Sequence, residues 1–320
     1  MKEIAIITGG DSSEYEISIQ SANVVFNHLD KTRYNPTIIH VKDDIWTNYH
    51  TKEEINTSDF SINTTDGKVV FDYVFMALHG PPAENGELQT YFDKLKISYS
   101  SCNSEVSALT FNKIECNKQL SNLGFRCAKS MHYKKGDKIN TKHISEILGL
   151  PLFIKPNEAG SSFGVSKVTT ENNIEKAIKN ALLHDDMVLM EQFIDGTEVS
   201  CGVMVKNSKV TSLPITEIVS QNDFFDFQAK YEGLSEEITP ARISKDITEN
   251  IQKITESVFV KMNLRGICRI DFIIMEEVPY IIEINTIPGF SEESIIPKQA
   301  TEAGISLSEL FDRCIENTIK

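Results

Sequence analysis

Residues 266–290, GICRIDFIIMEEVPYIIEINTIPGF, read as two strands joined by a short turn. The first, residues 267–274, carries Asp271, and the turn spans residues 276–279. The second, residues 280–284, carries Glu283 and leads into Asn285. Paired as a hairpin, the strands bring Asp271, Glu283 and Asn285 to one spot on one face. Unpaired carboxylates beside apolar neighbours are costly. A hard divalent cation with oxygen ligands removes that cost, and magnesium suits carboxylates shared with phosphate oxygens. A solvated hairpin whose acids face water is the other reading this spacing allows. Arg269 lies two residues before Asp271 and so shares its face. A guanidinium fork beside a metal-binding acid suits a transferring phosphoryl group or a developing oxyanion; a structural ion pair is the plainer alternative. Gly289 follows Pro288 at a turn, where a backbone N–H can serve an oxyanion. Ser294 opens the next segment and can bind a carboxylate through its hydroxyl and helix amides. Turn and cap chemistry accounts equally well for either residue taken alone.

Upstream, Gly160-Ser161-Ser162-Phe163-Gly164 lies between two expected strands, directly after Lys155-Pro156-Asn157. Such a loop turns successive N–H groups toward phosphate oxygens and adds hydroxyl donors, although a tight surface hairpin has the same composition. No GxxxxGK[ST] or GxGxxG occurs. Lys155 ends the apolar run Leu152-Phe153-Ile154, so its ammonium requires a polar destination. Lys113, on an expected helix, is a second such candidate, although a helix lysine is more commonly just solvated. Residues 187–194 are apolar apart from Glu191 and Gln192 and can border an adenine ring or form a plain interior strand. GxSxG and HExxH are absent. His79 stands before Gly80 at a strand end, a place where substrate contact is common.

The N-terminal order is strand (residues 3–8), glycine turn, helix, then strands at 37–41 and 69–78, which begins a mostly parallel α/β unit. The helix stripe is Ile19, Ala22, Val25 or Phe26, and Leu29. Residues 42–68 are polar and read as peripheral elaboration. A helix is expected at 86–95 and a strand at 97–99. Residues 105–124 read as one helix. Strands at 152–155, 165–168 and 188–192 surround a helix at 172–183, as in a small α+β module. Beyond residue 198 come strands at 199–205 and 209–218, helices at 247–262 and 307–319, and an aromatic connecting segment with Phe224, Phe225, Phe227 and Tyr231. The expected units are residues 1–102, 103–193 and 194–320.

Composition narrows the class. Hydrophobic content of 40% and charged content of 24% over 320 residues describe a folded soluble chain. A formal net charge of −14 argues against a nucleic-acid partner, while local lysines still leave room for an anionic small ligand. No run of 18 apolar residues occurs and no secretory leader is evident, so no membrane span and a cytoplasmic location are expected. The six cysteines are widely spaced and lack a CxxC pair, which suits buried free thiols better than disulfides or a zinc site.

In order and combination, these segments resemble the D-alanine–D-alanine ligases of the ATP-grasp type over nearly the whole chain. Gly9-Gly10-Asp11-Ser12-Ser13-Glu14-Tyr15-Glu16-Ile17-Ser18 is similar to the family's GG-S-E-E-S segment, and Ala77-Leu78-His79-Gly80 with Glu84-Asn85-Gly86 to its HG….ED-G signature. Asn285-Thr286-Ile287-Pro288-Gly289 retains its Asn-Thr-x-Pro-Gly. The resemblance implies an ATP-grasp fold, α/β and α+β, with an N-terminal parallel-sheet domain. It implies ATP-dependent joining of two D-alanines for peptidoglycan synthesis, with Mg²⁺ or Mn²⁺ held by Asp271, Glu283 and Asn285. Glu16 then binds the first D-alanine's ammonium, with His79 near that site. Lys113 and Lys155 hold ATP phosphates under a loop bearing Ser161 and Ser162. Glu191 lies near the adenosine and Glu198 on the ribose. Lys230-Tyr231 ends a second closing loop, and Ser161 and Tyr231 link to Glu16 across the closed site. Arg269 and Gly289 stabilise the oxyanion, Ser294 faces the second carboxylate, and the chain forms a homodimer.

Asn85, Ala159 and Phe290-Ser291 depart from the usual pattern and bear on rate and acceptor scope. A D-alanine–D-lactate ligase is the near alternative, which Tyr231 disfavours. A nucleotide-binding regulator without turnover is the alternative from another class.

Overall fold

The computed structural model describes residues 1–10, 12, 14–43, 45–65, 67–160, 163–220 and 235–319. The first apolar run forms β1 (Lys2–Gly9), followed by α1 (Tyr15–His28), β2 (Tyr34–Lys42) and β3 (Ile45–Asn48). Short strands β4 (Ile55–Asn56), β5 (Ser61–Thr64) and β6 (Gly67–Val70) precede β7 (Tyr73–Met76), α2 (Glu87–Leu95) and β8 (Ser98–Tyr99). The sheet order is β3-β2-β1-β7-β8, parallel apart from the β3 edge. β1 is buried from Ile4 to Gly9 without alternation, as a strand covered on both faces must be.

Two expectations change here. The expected strand at 69–78 is two strands, β6 and β7, in different sheets, because the chain leaves one at Val70 and enters the other at Tyr73. Residues 42–68 are not peripheral throughout: β4, β5 and β6 form their own sheet, and Ile55, Phe60 and Ile62 are buried against Phe92 and Leu88. Phe60 is fully buried, worth roughly 1.5–3 kcal/mol for such a side chain. Its neighbours in sequence are polar, which hides it from a composition reading. On α1, Ala22, Val25 and Leu29 are buried as expected, but Ser18 and Ser21 share that face, while Ile19 and Phe26 are half-buried.

The expected helix at 105–124 is α3 (Ser104–Phe111) and α4 (Lys113–Asn122), broken at Asn112 with φ −80° and ψ 99°. The Asn112 side chain accepts a hydrogen bond from Glu115 N at 3.0 Å, so a residue that competes with helix geometry restarts it. That break makes Lys113 the first residue of α4. Next come β9 (Ser130–Lys134), α5 (Thr141–Leu148), β10 (Leu152–Pro156), β11 (Ser166–Val168), α6 (Ile174–Ala181) and β12 (Met187–Gln192). The antiparallel order is β11-β10-β12-β9. β9 is largely exposed, so hydrophobic period does not mark it.

The last sheet contains β13 (Thr197–Lys206), β14 (Lys209–Ser212), β15 (Thr216–Ser220) and β16 (Ser235–Ile238). After α7 (Lys245–Lys261) follow β17 (Cys268–Met275), β18 (Val278–Asn285), α8 (Ile295–Glu302) and α9 (Leu307–Thr318). Its order is β16-β15-β13-β17-β18, with β14 paired to β13. The expected strand at 209–218 is thus two, β14 and β15, both against β13. Gly266, at φ +70°, brings β17 against the segment after β8: a Cβ there would lie 1.9 Å from Ser100 O. The aromatic segment with Phe224, Phe225, Phe227 and Tyr231 lies outside the described residues. All six cysteines are free, five of them buried. Among the described residues no helix is long and apolar enough to cross a membrane.

Candidate active site

β17 and β18 pair as the expected hairpin, turning at Glu276 and Glu277, whose φ values are 49° and 64°. Two successive positive φ angles match the twist of paired strands. Arg269 lies opposite Asn285, and Asp271 opposite Glu283. Directly opposed residues share a face, so these four project together. A register shift between Asp271 and Phe272 marks a bulge just beyond them.

Arg269 grips Asp271 with two parallel bonds, Nε to Oδ1 and Nη2 to Oδ2, each 2.8 Å. Ser200 Oγ donates to Oδ1 at 2.6 Å, and Asn285 Nδ2 to Oδ2 at 2.9 Å. Burial opposes the Arg269 charge, but Asp271 and then Glu283 outweigh it and hold its pKa above the ordinary value. The structural ion pair is therefore real, and it sits inside the site. Ser200 was not anticipated; its parity on β13, opposite Asp271, is the signal that finds it once the sheet is known.

Two adjoining cavities meet at this wall. One, of about 470 Å³, lies between the β9–β12 sheet and the last sheet, lined by Lys155, Glu191, Glu198, Asp271 and Phe163. The other, of about 580 Å³, is lined by Glu16, His79, Asn285, Gly289 and Ser294. Lys113, Arg269 and Glu283 face both. Every expected site residue among those described thus lines one cavity or both. Ser161, Ser162, Lys230 and Tyr231 lie outside the described residues.

The polar partners refine several expectations. Lys155 Nζ lies 2.5 Å from Glu191 Oε2, and Asn117 Nδ2 donates to Glu191 Oε1 at 2.7 Å. The Glu191 carboxylate therefore holds Lys155 in place rather than standing open to a ligand. Burial works against the Lys155 charge, yet Glu191 keeps its pKa raised. Lys113 Nζ donates to Ala159 O at 2.8 Å and lies 3.7 Å from Glu283 Oε1; burial lowers its pKa. Ser294 caps no amide of α8 with its own side chain; its Oγ pairs with Ser291 Oγ at 2.7 Å, leaving the helix start facing the second cavity. A Cβ on Gly289 would come within 2.6 Å of Ser294 Oγ, so this closeness requires glycine.

Two departures have structural roles away from the ligand space. Phe290 is 3% exposed and packs edge-on against Phe75 and Phe311, with centroids 5.7 and 5.5 Å away. Asn85 exchanges bonds with Glu87 at the start of α2 and lines neither cavity.

Glu84 was missed, although it stands within the histidine–glycine signature, and it lines the second cavity. Burial first, then Glu14 and Glu283, push its carboxyl up to about 8 from the usual 4.5. A raised carboxyl pKa means the fold favours the proton: this contribution is intact below about pH 4.5 and drains away as pH rises through about 8. Glu84→Gln is accordingly expected to raise the Tm of the ligand-free protein at about pH 8, and by much less near pH 5.5. Melting curves of both proteins at the two pH values check this; an equal shift at both would contradict it.

A two-sheet clamp over one cavity, joined through a carboxylate–arginine wall to a second, defines an ATP-grasp ligase. Residues 3–102 match the family model described as D-ala D-ala ligase N-terminus, and residues 117–316 match D-ala D-ala ligase C-terminus. The chain is 48% identical over 319 residues to a D-alanine–D-alanine ligase of Flavobacterium johnsoniae, covering 99% of each chain. It is 46% identical to that of Christiangramia forsetii, covering 98% of each. Among solved structures, D-alanyl-alanine synthetase A from Vibrio cholerae superposes with a TM-score of 0.89 at 29% identity, over 99% of this chain and 98% of that one. VanG D-Ala:D-Ser ligase from Enterococcus faecalis gives 0.87 at 31% identity, over 98% of each. The chain belongs to the D-alanine–D-alanine ligase family.

Proposed function

We infer that this chain carries out ATP-dependent ligation of two D-alanines for peptidoglycan synthesis, with ATP in the cavity between the sheets and the amino acids in the other. The observation that carries the reading is the Arg269–Asp271–Glu283–Asn285 face at the wall common to both cavities. Division into units of residues 1–102, 103–193 and 194–320 belongs to this reading, as do a cytoplasmic setting and a homodimer.

The donor set fits a hard divalent cation, Mg²⁺ or Mn²⁺. Among the described residues no three His, Cys, Asp or Glu cluster as a metal cage. Magnesium seldom uses one, taking one or two carboxylates and sharing phosphate oxygens. Asp271 accepts at least four hydrogen bonds, so a cation bound there would displace one of them. Asn285 is suited to that exchange, since its amide offers an oxygen as well as a nitrogen. Asp271, Glu283 and Asn285 would hold one or two ions, which supply charge neutralisation on the β- and γ-phosphates.

Glu16 takes the first D-alanine's ammonium and aims its carboxylate at the γ-phosphoryl. Lys113 and Lys155 hold the phosphates, the latter fixed by Glu191, while Glu198 serves the ribose. The carboxylate displaces ADP and forms D-alanyl phosphate. Ser294 and the start of α8 receive the second D-alanine's carboxylate. Its amine attacks the acyl carbon, and Arg269 with the Gly289 N–H stabilises the oxyanion before phosphate leaves. Ser161, Ser162, Lys230 and Tyr231 complete this reading as the closing loops, excluding water from the acylphosphate.

Product analysis tests it. Incubation with ATP, Mg²⁺, D-alanine and D-lactate at neutral pH is expected to yield chiefly D-alanyl-D-alanine, ADP and phosphate. Mainly depsipeptide would make this the lactate-using ligase, and nucleotide binding without product would make it a regulator.

A further inference from the structure

One buried hydroxyl ties the helix that carries Glu16 to the loop that carries Gly289. Ser21, on α1, is fully buried. Its Oγ lies 3.0 Å from Phe290 N and 3.1 Å from His79 Nε2. Donor counting leaves one arrangement. Phe290 N–H can only donate, so Ser21 Oγ accepts from it. His79 Nδ1 lies 3.0 Å from Ile287 O, which can only accept, so Nδ1 carries the ring proton. In the neutral ring Nε2 then accepts the Ser21 hydroxyl proton. Burial favours that neutral form by lowering the His79 pKa.

The histidine is also fixed by its backbone: its N–H donates to Ser18 Oγ at 2.9 Å, and its carbonyl accepts from Ser12 Oγ at 3.0 Å. Both ring nitrogens are thus spent on the protein, although the ring lines the second cavity. Substrate contact through either nitrogen would have to break one of these bonds. Its bonds and those of Ser21 land on Ile287 and Phe290, on either side of Gly289. No hydrogen bond among the described residues takes up the Gly289 N–H.

We propose that Ser21 is a positioning residue for acyl transfer: through Phe290 N and His79 it holds the 287–290 loop in register with the Glu16 end of α1. This rests on the ligase reading of the site. The held loop presents the Gly289 N–H to the tetrahedral oxyanion, which forms only after D-alanyl phosphate exists. Phosphoryl transfer relies on Lys113, Lys155 and the β17–β18 acids, which Ser21 does not touch. Releasing the clamp slows attack by the second amine and leaves the acylphosphate to water. The water oxygen then bonds to the acyl carbon, the bond from that carbon to the phosphate oxygen breaks, and phosphate and the first D-alanine are released.

The decisive readout is phosphate released per dipeptide formed, together with the KM for ATP. The unaltered enzyme should release one phosphate per dipeptide. Ser21→Ala is expected to lower dipeptide formation by about 10- to 100-fold, since small misplacements carry penalties of that size. It should raise phosphate per dipeptide severalfold and leave the KM for ATP within about twofold, as expected when only a later step is touched. Ser21→Cys keeps nearly the same volume with a poorer donor and acceptor, and should fall between. If Ser21→Ala does not fold, Ser21→Cys decides. Folded variants that still release one phosphate per dipeptide, whatever their rate, would overturn the proposal and leave Ser21 purely structural. An unaltered enzyme that released phosphate with no dipeptide would overturn the ligase reading, and the clamp with it.

Discussion

Glu283→Ala is expected to lower kcat by about three orders of magnitude, equivalent to roughly 4 kcal/mol of lost transition-state stabilisation. Glu283 stands opposite Asp271 and faces both cavities, so its loss removes one of the two paired carboxylates of the β17–β18 hairpin. Lys113 loses its partner at 3.7 Å at the same time. Folding should change little. The side chain is 36% exposed, while Ile281 and Ile284 supply the buried face of β18. Truncating this partly exposed side chain is expected to cost about 1 kcal/mol, the ordinary size for a point substitution. Steady-state turnover over a range of Mg²⁺ and Mn²⁺, with a melting curve alongside, checks both halves. Turnover near that of the unaltered enzyme would remove the metal assignment.

Arg269→Ala is the second large effect, and it should strike stability as well as rate. Removing one partner of a buried ion pair costs about 3–5 kcal/mol because the other charge stays behind unpaired. Asp271 would lose its two-bond fork and keep the bonds from Ser200 and Asn285. Loss of one oxyanion donor should separately lower kcat by about 100-fold or more. Arg269→Lys keeps the charge but cannot form the two-bond fork, so intermediate losses in both are expected. Tm and kcat of the three proteins together are the check. A stable, fast Arg269→Ala protein would mean the guanidinium neither supports Asp271 nor meets the reacting atoms.

The site was more legible in the sequence than the fold around it. Side-chain parity in strands is rigid, so Arg269 and Asp271 had to share a face, and one hairpin was enough to add Glu283 and Asn285. Lys155 was legible because an ammonium ending an apolar strand needs a destination; its partner Glu191 comes from a different strand, and that register is not written locally. Serines 18 and 21 were missed on α1 because a stripe read by hydrophobicity passes over small polar residues that the core tolerates only when hydrogen-bonded. The bonds of His79 were not legible, since the carbonyl of Ile287 that takes its proton is 208 residues away. The split helix at Asn112 was written in the sequence by a capping residue, and period alone overrode it.

The most direct test is a crystal of the protein with a non-hydrolysable ATP analogue and Mn²⁺, with the manganese located by its anomalous scattering. The expected peak lies about 2.0–2.3 Å from oxygens of Asp271 or Glu283 and of the nucleotide phosphates, as hard oxygen ligation of such an ion requires. A peak held elsewhere, with those two carboxylates turned away from the phosphates, would contradict it.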